Sequence, residues 1–236
     1  MEQDRTLDIN FWTGFADLML ALVLVLCLLL FLVMAVISFG TVNLKSVQVN
    51  QQAMIESVAN SFDSMPQMNE GSFLIPIIQN GKQFTIQVDN DLDTQKFTFS
   101  DRLLFLTDDF HLNEDGRDTL RIIGRAILMK AERIREIQIQ GHADIRRSRR
   151  FHSETGNTEL AAMRALEVFK FFQDKREVGI DPTKNLMSIT SFGEFLPFRR
   201  KRNDTSYDMT KLATDNADVP LMDRNRRIEI VLFYRH

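Results

Sequence analysis

The feature that most constrains this chain is an apolar run from Leu18 to Ile37, which contains no charged residue and no hydroxyl. A run of about 20 residues spans about 30 Å as a helix, which is the thickness of a bilayer core. Asp17 lies at its N-terminal end. An ionisable group in a membrane span costs about 2.5 to 3.5 kcal/mol and commonly serves an ion pathway, a proton relay or an ion pair. The alternative is that Asp17 only favours the positive end of the helix dipole.

Composition narrows the remaining possibilities. A chain of 236 residues fits one membrane segment and one folded domain. The formal net charge of −3 argues against direct nucleic-acid binding. Cys27 is the single cysteine, so no disulfide framework is possible. Residues 1–10 lack the basic segment of a secretory signal, which predicts an uncleaved single-pass anchor.

The chain divides into four predicted regions: a short tail at 1–10, a transmembrane helix at 11–39, a linker at 40–72 and a folded domain at 73–236. In the linker, apolar residues recur at helical spacing between Asn43 and Phe62. This pattern predicts an amphipathic helix. The helix would lie on the membrane as a plug, pair with a second copy or form a short stalk.

The folded domain shows alternating strand and helix patterns. Strands are predicted at 73–78, 84–88, 96–106, 135–140, 186–192 and 226–234, and helices at 114–133 and 158–175. Asn80-Gly81 predicts a hairpin turn, and Asn113 is a helix N-cap candidate. From Lys96, the order β-α-β-α-β-β predicts an α/β sandwich with helices on one face of a mixed sheet.

Four ordered motifs follow these elements. They are Gly141-His142-Ala143-Asp144, Asn157-x-x-Leu160-x-x-x-Arg164-Ala165, Gly193-Glu194-x-x-Pro197 and Asn225-Arg226-Arg227. With them, the chain from about Lys96 to Arg235 resembles the OmpA-like peptidoglycan-binding domain. The sequence shows no paired-carboxylate cleft, no metal-ligand spacing and no nucleophile elbow. We therefore predict a binding module rather than an enzyme, with no metal and no cofactor beyond a coupling ion.

The resemblance implies a ligand and the residues that bind it. Asp144 would bind the ammonium and Arg164 the carboxylate at the zwitterionic end of diaminopimelate in the peptidoglycan stem peptide, since each charge suits the other. Asn157 would add hydrogen bonds to the peptide. Arg226 would support the site while Arg227 faces solvent, or the reverse. The alternative is that Asp144 and Arg164 form an internal salt bridge, and His142 is predicted to be structural.

The chain departs from the family pattern at several positions. Ala143 replaces the usual threonine and Ala161 the usual serine. The segment after Asp144 is longer than usual and is rich in arginine, at positions 146, 147, 149 and 150. A second insertion, from about 198 to 223, begins with the basic residues 199–202. These loops would flank the site and either bind anionic wall polymers or remain solvated charge.

The N-terminal span carries a second resemblance. The pattern Phe11-Trp12-x-x-Phe15-Ala16-Asp17-Leu18-Met19 is similar to the transmembrane signature of MotB-type stator subunits, although the gap after Trp12 is one residue shorter. That family implies a cytoplasmic N-terminus, a periplasmic C-terminal domain and an inner-membrane location. It also implies two copies inside a ring of five MotA-like subunits, with Asp17 binding and releasing the coupling ion. We expect that ion to be a proton.

The short acidic tail, the short linker and the basic insertions differ from flagellar stators. With these features the chain resembles more closely the MotB-like subunit family ZorB of the Zorya anti-phage defence system. In that family the MotA-like partner is expected to relay envelope damage to cytoplasmic effectors. The alternatives are a flagellar MotB-type subunit, a TolR- or ExbD-like subunit, a wall tether without ion transport, and a sensor of wall fragments. Replacement of Asp17 separates the motor hypotheses from the last two.

Overall fold

The computed structural model describes residues 11–235. They form two compact units, divided between Lys45 and Ser46. The first helix, α1 (Phe11–Ser61), contributes to both units. The predicted cytoplasmic tail at 1–10 lies outside the described residues.

The first unit contains the predicted membrane span. Gly14–Ser38 is 25 residues long, has a mean hydropathy of 3.5 and contains no buried residue, so its length and composition suit a single membrane crossing. Asp17 is exposed within this helix, near the start of the apolar stretch. Apart from Asp17 and Ser38, the side chains of this stretch are apolar, which is typical of a helix surrounded by lipid rather than by water.

In the second unit, the C-terminal part of α1 is a core element of the folded domain. Five of its apolar side chains are at most 1% exposed: Val47, Met54, Ile55, Val58 and Ala59. Gln51 Nε2 donates to the carbonyl oxygens of Asp91 at 2.8 Å and Thr94 at 2.9 Å, which fixes the helix to a strand connection. The predicted amphipathic helix is this part of α1. Its roles as a plug or dimer contact stay predictions, and either role would require these side chains to leave the core.

Within residues 11–235 the strands form one mixed sheet, as predicted, but they number seven rather than the six predicted, because the first lies in the predicted linker. They are β1 (Gln67–Asn69), β2 (Ser72–Gln79), β3 (Lys82–Asn90), β4 (Thr94–Ser100), β5 (Ile134–His142), β6 (Leu186–Gly193) and β7 (Arg227–Tyr234). The order across the sheet is β1-β2-β3-β4-β7-β5-β6, and among these described strands β5 and β6 are the one parallel pair. The predicted hairpin is present, with Asn80 and Gly81 both at positive φ between the paired residues Gln79 and Lys82.

Five further helices complete the domain. They are α2 (Asp101–Leu104), α3 (Glu114–Met129), α4 (Gly156–Gln173), α5 (Met209–Thr214) and α6 (Val219–Asn225), with a 3-10 turn at Ala131–Arg133. Asn113 caps α3 as predicted, because its side chain accepts a hydrogen bond from Gly116 N.

Two predicted boundaries were wrong. The strand predicted at 96–106 ends at Ser100, where the chain turns into α2. Leu103 and Leu104 are both fully buried there, which neighbouring residues on a strand with one buried face cannot achieve. The helix predicted to Arg133 ends at Met129, and its last predicted turn is the 3-10 turn.

The two faces of the sheet differ in character. Ile137, Ile139, Ile228 and Ile230 belong to a single core cluster that includes apolar side chains from α1, α3 and α4, so the long helices pack on one face as predicted. The opposite face carries polar side chains from β5 and β7: Gln140, His142, Arg227 and Glu229. The segment between β6 and β7 contacts that polar face, where Arg202 Nη2 donates to Gln140 Oε1 at 2.7 Å.

Candidate functional site

A cavity of about 380 Å³ lies where α2, the loop after β5, α4 and the start of β7 come together. All four predicted wall-binding side chains line it: Asp144, Asn157, Arg164 and Arg226. Residues from three of the four motifs, far apart in sequence, therefore lie around one cavity, and their binding roles stay predictions.

The close packing of α4 on β5 brings two of the motifs together. A Cβ added at Gly141 would lie 2.0 Å from the carbonyl oxygen of Ala161, so only glycine allows the helix backbone to approach the strand this closely. Asp144 follows Gly141 at the end of β5, and Arg164 lies almost one turn beyond Ala161 on α4. The first glycine of the motif thus positions the aspartate relative to the arginine.

Asp144 is 3% exposed, and its carboxylate is held by two arginines. Oδ2 accepts from Arg226 Nη1 at 2.5 Å, and from Arg146 Nη2 at 2.6 Å and Nε at 2.9 Å. Oδ1 accepts from the backbone N–H of Arg146 at 2.9 Å. These charged hydrogen bonds offset the cost of burying the carboxylate.

Arg164 is 1% exposed and has a different partner. Its Nη1 lies 2.8 Å from Asp101 Oδ2, and its Nε donates to the carbonyl oxygen of Asp109 at 2.8 Å. The guanidinium also lies over the Phe105 ring, 5.2 Å from its centroid. Burial raises the pKa of Asp101, while Arg164 opposes that rise. The described ion pairs thus join Arg164 to Asp101 and Asp144 to Arg146 and Arg226, in place of the internal Asp144–Arg164 pair considered above.

Asn157 stabilises the loop around the cavity. Its Nδ2 donates to the carbonyl oxygen of Asp144 at 3.1 Å, and its Oδ1 accepts from Ser148 N at 3.0 Å. These bonds tie the start of α4 to both ends of the loop that follows β5. Hydrogen bonds from Asn157 to a bound peptide stay a prediction.

The two arginines that precede the last strand's apolar run point to opposite faces of the sheet. Arg226 lines the cavity and contacts Asp144, Asp223 and Asp101. Arg227 is 4% exposed, and its Nε donates to Glu229 Oε1 at 2.7 Å on the polar face. The prediction that one of the pair faces solvent was wrong, because the alternation of β7 places Arg227 under the covered polar face.

The arginine-rich loop after β5 lines the cavity and is anchored at its rim. Ser148 Oγ and the backbone N–H of Arg149 donate to the Asp108 carboxylate at 2.8 and 3.0 Å. Arg150 Nη1 donates to Asp109 Oδ1 at 3.0 Å. The second insertion differs, since none of the described lining residues of this cavity belongs to its basic segment 199–202. The first insertion supplies lining residues, whereas the second contacts the cavity wall through Asp223, which pairs with Arg102 and Arg226.

Six arginines and three aspartates line the cavity, a formal excess of three positive charges. Such a surface attracts ligands with carboxylate groups. Within the described range 11–235, no group of three or more His, Cys, Asp or Glu side chains is placed to hold a metal ion.

Comparison with known proteins agrees with this architecture. Residues 104–209 match the OmpA family. The chain carries an OmpA-like domain. A putative MotB-like protein from Desulfovibrio vulgaris superposes with a TM-score of 0.56 and 19% identity, over 81% of this chain and 98% of that one. The periplasmic domain of Helicobacter pylori MotB gives 0.50 and 19%, over 68% and 88%. No curated protein matches the sequence of this chain.

The cavity of the OmpA-like domain extends beyond the matched range. Asp144, Asn157 and Arg164 lie inside residues 104–209, whereas Asp101 and Arg226 lie outside them. Asp101 has no predicted role, because the sequence pattern places it within a continuous strand. Arg146 belongs to the predicted basic loop, but no sequence pattern indicates that its side chain returns to Asp144 two positions earlier.

Proposed function

We propose that the OmpA-like domain binds the stem peptide of peptidoglycan in this cavity. The supporting observation is that a buried carboxylate, Asp144, and a buried guanidinium, Arg164, line the same cavity while each is paired with a protein group of opposite charge. A zwitterionic end such as that of diaminopimelate offers one ammonium and one carboxylate. Its two charges complement Asp144 and Arg164.

Arg164 has donor capacity to spare for such a ligand. Its contacts with Asp101 and Asp109 use Nη1 and Nε, so among the described residues Nη2 remains for a ligand carboxylate. A guanidinium offers five N–H donors in a fixed planar arrangement, which allows it to hold Asp101 and a ligand together. Arg226 and Asn157 serve this pair by holding Asp144 and its loop in place.

The first test is binding to the wall itself. The double variant Asp144→Ala, Arg164→Ala should lose co-sedimentation of the full chain, in detergent micelles, with purified peptidoglycan sacculi. Arg199→Ala, Lys201→Ala is a control that removes two charges outside the cavity and should sediment like the wild type. Undiminished sedimentation of the Asp144, Arg164 double variant would reject the site.

We propose further that the protein is the wall-anchored subunit of a MotA/MotB-like stator in the bacterial inner membrane. The helix Gly14–Ser38 would cross the membrane once, with the N-terminus cytoplasmic and the domain periplasmic. Two copies would share a ring of MotA-like subunits, and Asp17 would carry the coupling ion, a proton. Support comes from the position of Asp17 in an otherwise uncharged apolar helix and from the wall-binding proposal, because a stator needs both an ion-binding group and an anchor.

The motor would serve anti-phage defence of the Zorya type rather than swimming. The supporting features are the basic insertions and the few residues between the end of the span at Ser38 and the first core residue, Val47. Signals to cytoplasmic effectors would then pass through the MotA-like partner.

Asp17→Asn tests the motor and its output together. In the native host, this variant should abolish protection against phage while membrane insertion and association with the partner persist, because an amide keeps the shape and loses the titratable charge. Plaque counts, a swimming assay and co-purification are the measurements. Cys27→Ala, in the same span, should keep full protection. Retained protection by Asp17→Asn would favour a tether or sensor, and a loss of swimming would favour a flagellar stator.

A further inference from the structure

The Arg146 side chain occupies the carboxylate that the proposed ligand needs. Its Nε and Nη2 both donate to Asp144 Oδ2, at 2.9 and 2.6 Å, which are distances of charge-assisted hydrogen bonds. Both residues line the cavity. An ammonium group entering the cavity therefore meets an Asp144 that already holds a guanidinium on the same oxygen.

The two arginines on Asp144 differ in how firmly they are held. The Arg226 side chain is 18% exposed and also contacts Asp223 and Asp101, so three carboxylates fix it. The Arg146 side chain is 52% exposed, and Asp144 is the single carboxylate that it contacts among the described residues. Arg146 is thus the partner that a ligand can replace, whereas Arg226 remains.

We propose that Arg146 is a built-in substitute for the ligand's ammonium, which closes the ammonium subsite of Asp144 until a ligand displaces it. This inference rests on the proposed function of the cavity. Exchange of one cation for another leaves the buried carboxylate paired throughout, so neither the empty nor the occupied site carries an unpaired buried charge. Because Arg146 is tethered two residues from Asp144, it competes at high effective concentration.

The consequence is selectivity for ligands that carry a strong cation at the correct place. A ligand with an ammonium group displaces Arg146 and forms a new ion pair with Asp144. A ligand without an ammonium group forms no such pair, so displacement of Arg146 does not stabilise its complex. Removal of the Arg146 guanidinium should therefore tighten the binding of ammonium-bearing ligands alone. The backbone N–H of residue 146 still donates to Asp144 Oδ1 in any side-chain variant except proline, so the loop keeps its anchor.

Isothermal titration of the full chain in detergent micelles tests this with two probes. One is the stem tripeptide that ends in meso-diaminopimelate, and the other is the same tripeptide acetylated on the free amino group of diaminopimelate. Arg146→Gln should tighten binding of the first about fivefold, the value of a partly exposed ion pair, and leave the second unchanged. Arg147→Gln is the matched control, because it removes the same charge from the neighbouring lining residue and should tighten neither.

The other outcomes separate this inference from the wall-binding proposal. If Arg146→Gln binds the free tripeptide equally or more weakly, or tightens both probes alike, Arg146 does not compete for the ammonium subsite. An equal gain in Arg147→Gln would also show that Arg146 has no special part in that competition. In those cases the wall-binding proposal is still supported, provided that the Asp144→Ala, Arg164→Ala double variant no longer co-sediments with sacculi. If the wild type binds neither sacculi nor the tripeptide, both proposals are wrong.

Discussion

Asp101 and Arg164 form an ion pair in which both side chains are almost fully buried, with 5% and 2% of their surfaces exposed. Burial favours the neutral form of Asp101 and raises its pKa, and Arg164 works in the opposite direction. A pair of this kind contributes little net stability, but loss of one partner leaves a buried charge uncompensated. Asp101 also fixes the guanidinium that would meet the ligand's carboxylate, and so acts as a positioning residue.

Replacement of Asp101 should therefore be costly. Asp101→Asn should reduce the free energy of unfolding by about 3 kcal/mol, because Arg164 loses its counter-ion while remaining buried. Urea unfolding of the full chain in micelles, followed by circular dichroism, measures this. Asp118→Asn is the matched control, since Asp118 is 61% exposed and pairs with Arg121 on a helix surface, where an ion pair is worth about 0 to 1 kcal/mol. Equal effects of the two substitutions would contradict the buried-pair argument.

At the scale of elements, α1 changes its environment along its length. Residues Gly14–Ser38 expose mostly apolar side chains, with Asp17 as the charged exception, whereas from Val47 onward one side is apolar and buried in the domain. A single helix thus passes from a lipid-type surface to an amphipathic one, with Gln51 bonded to the backbone of the sheet. The sequence pattern identifies this helix, and only the fold reveals the surface that covers its apolar side.

The burial of α1 gives a direct prediction. Met54→Ala should lower the free energy of unfolding of the domain by about 2 to 5 kcal/mol, the usual cost of deleting a buried side chain and leaving a cavity. Val49→Ala, on the exposed side of the same helix at 61% exposure, should change it by less than about 0.5 kcal/mol. Denaturant unfolding distinguishes them. A Met54→Ala domain as stable as the wild type would indicate that the helix leaves the core, as a plug would require.

At the scale of the whole molecule, the sheet separates an apolar core from a buried polar layer. His142 is 1% exposed, stacks on Phe192 with centroids 5.1 Å apart, and its Nδ1 lies 3.2 Å from the carbonyl oxygen of Leu196. Burial, with Arg227 nearby, lowers the pKa of His142. Burial disfavours the charged form of Glu229, but His142, Arg227 and Lys96 outweigh it and hold its pKa well below its usual range.

Both shifts make the folded protein sensitive to acid. As pH falls below 6.5, the ordinary pKa of histidine, the unfolded chain takes up a proton that buried His142 does not, so the stability from His142 is progressively lost. Glu229 adds a second loss below its ordinary pKa of 4.5. The Tm measured by circular dichroism should therefore fall between pH 7 and about pH 5, and fall further below that.

Substitution at His142 identifies the source of the upper part of this pH dependence. His142→Gln, which still offers a donor to Leu196, should flatten the fall in Tm between pH 7 and about pH 5. His152→Gln replaces an exposed histidine and should leave the pH profile unchanged. An unaltered profile in His142→Gln would contradict the role of the buried imidazole.

Much of this molecule is determined locally by the sequence. The apolar run fixes a helix of membrane-span length, the Asn80-Gly81 turn fixes a hairpin, and Asn113 fixes the start of α3, because each depends on near neighbours alone. The family resemblance of the ordered motifs implied a common site for Asp144, Asn157, Arg164 and Arg226, and the structure places all four around one cavity.

Tertiary structure alone decided which charges meet. Arg146 and Arg226 both reach Asp144, and Arg164 reaches Asp101, because the path of each loop and the packing of α4 on β5 set those distances. The alternation of β7 likewise places Arg227 on the buried polar face. Ion pairing depends on separation in space, which residue spacing does not encode for groups far apart in sequence, so the sequence determined the participants and the fold determined their partners.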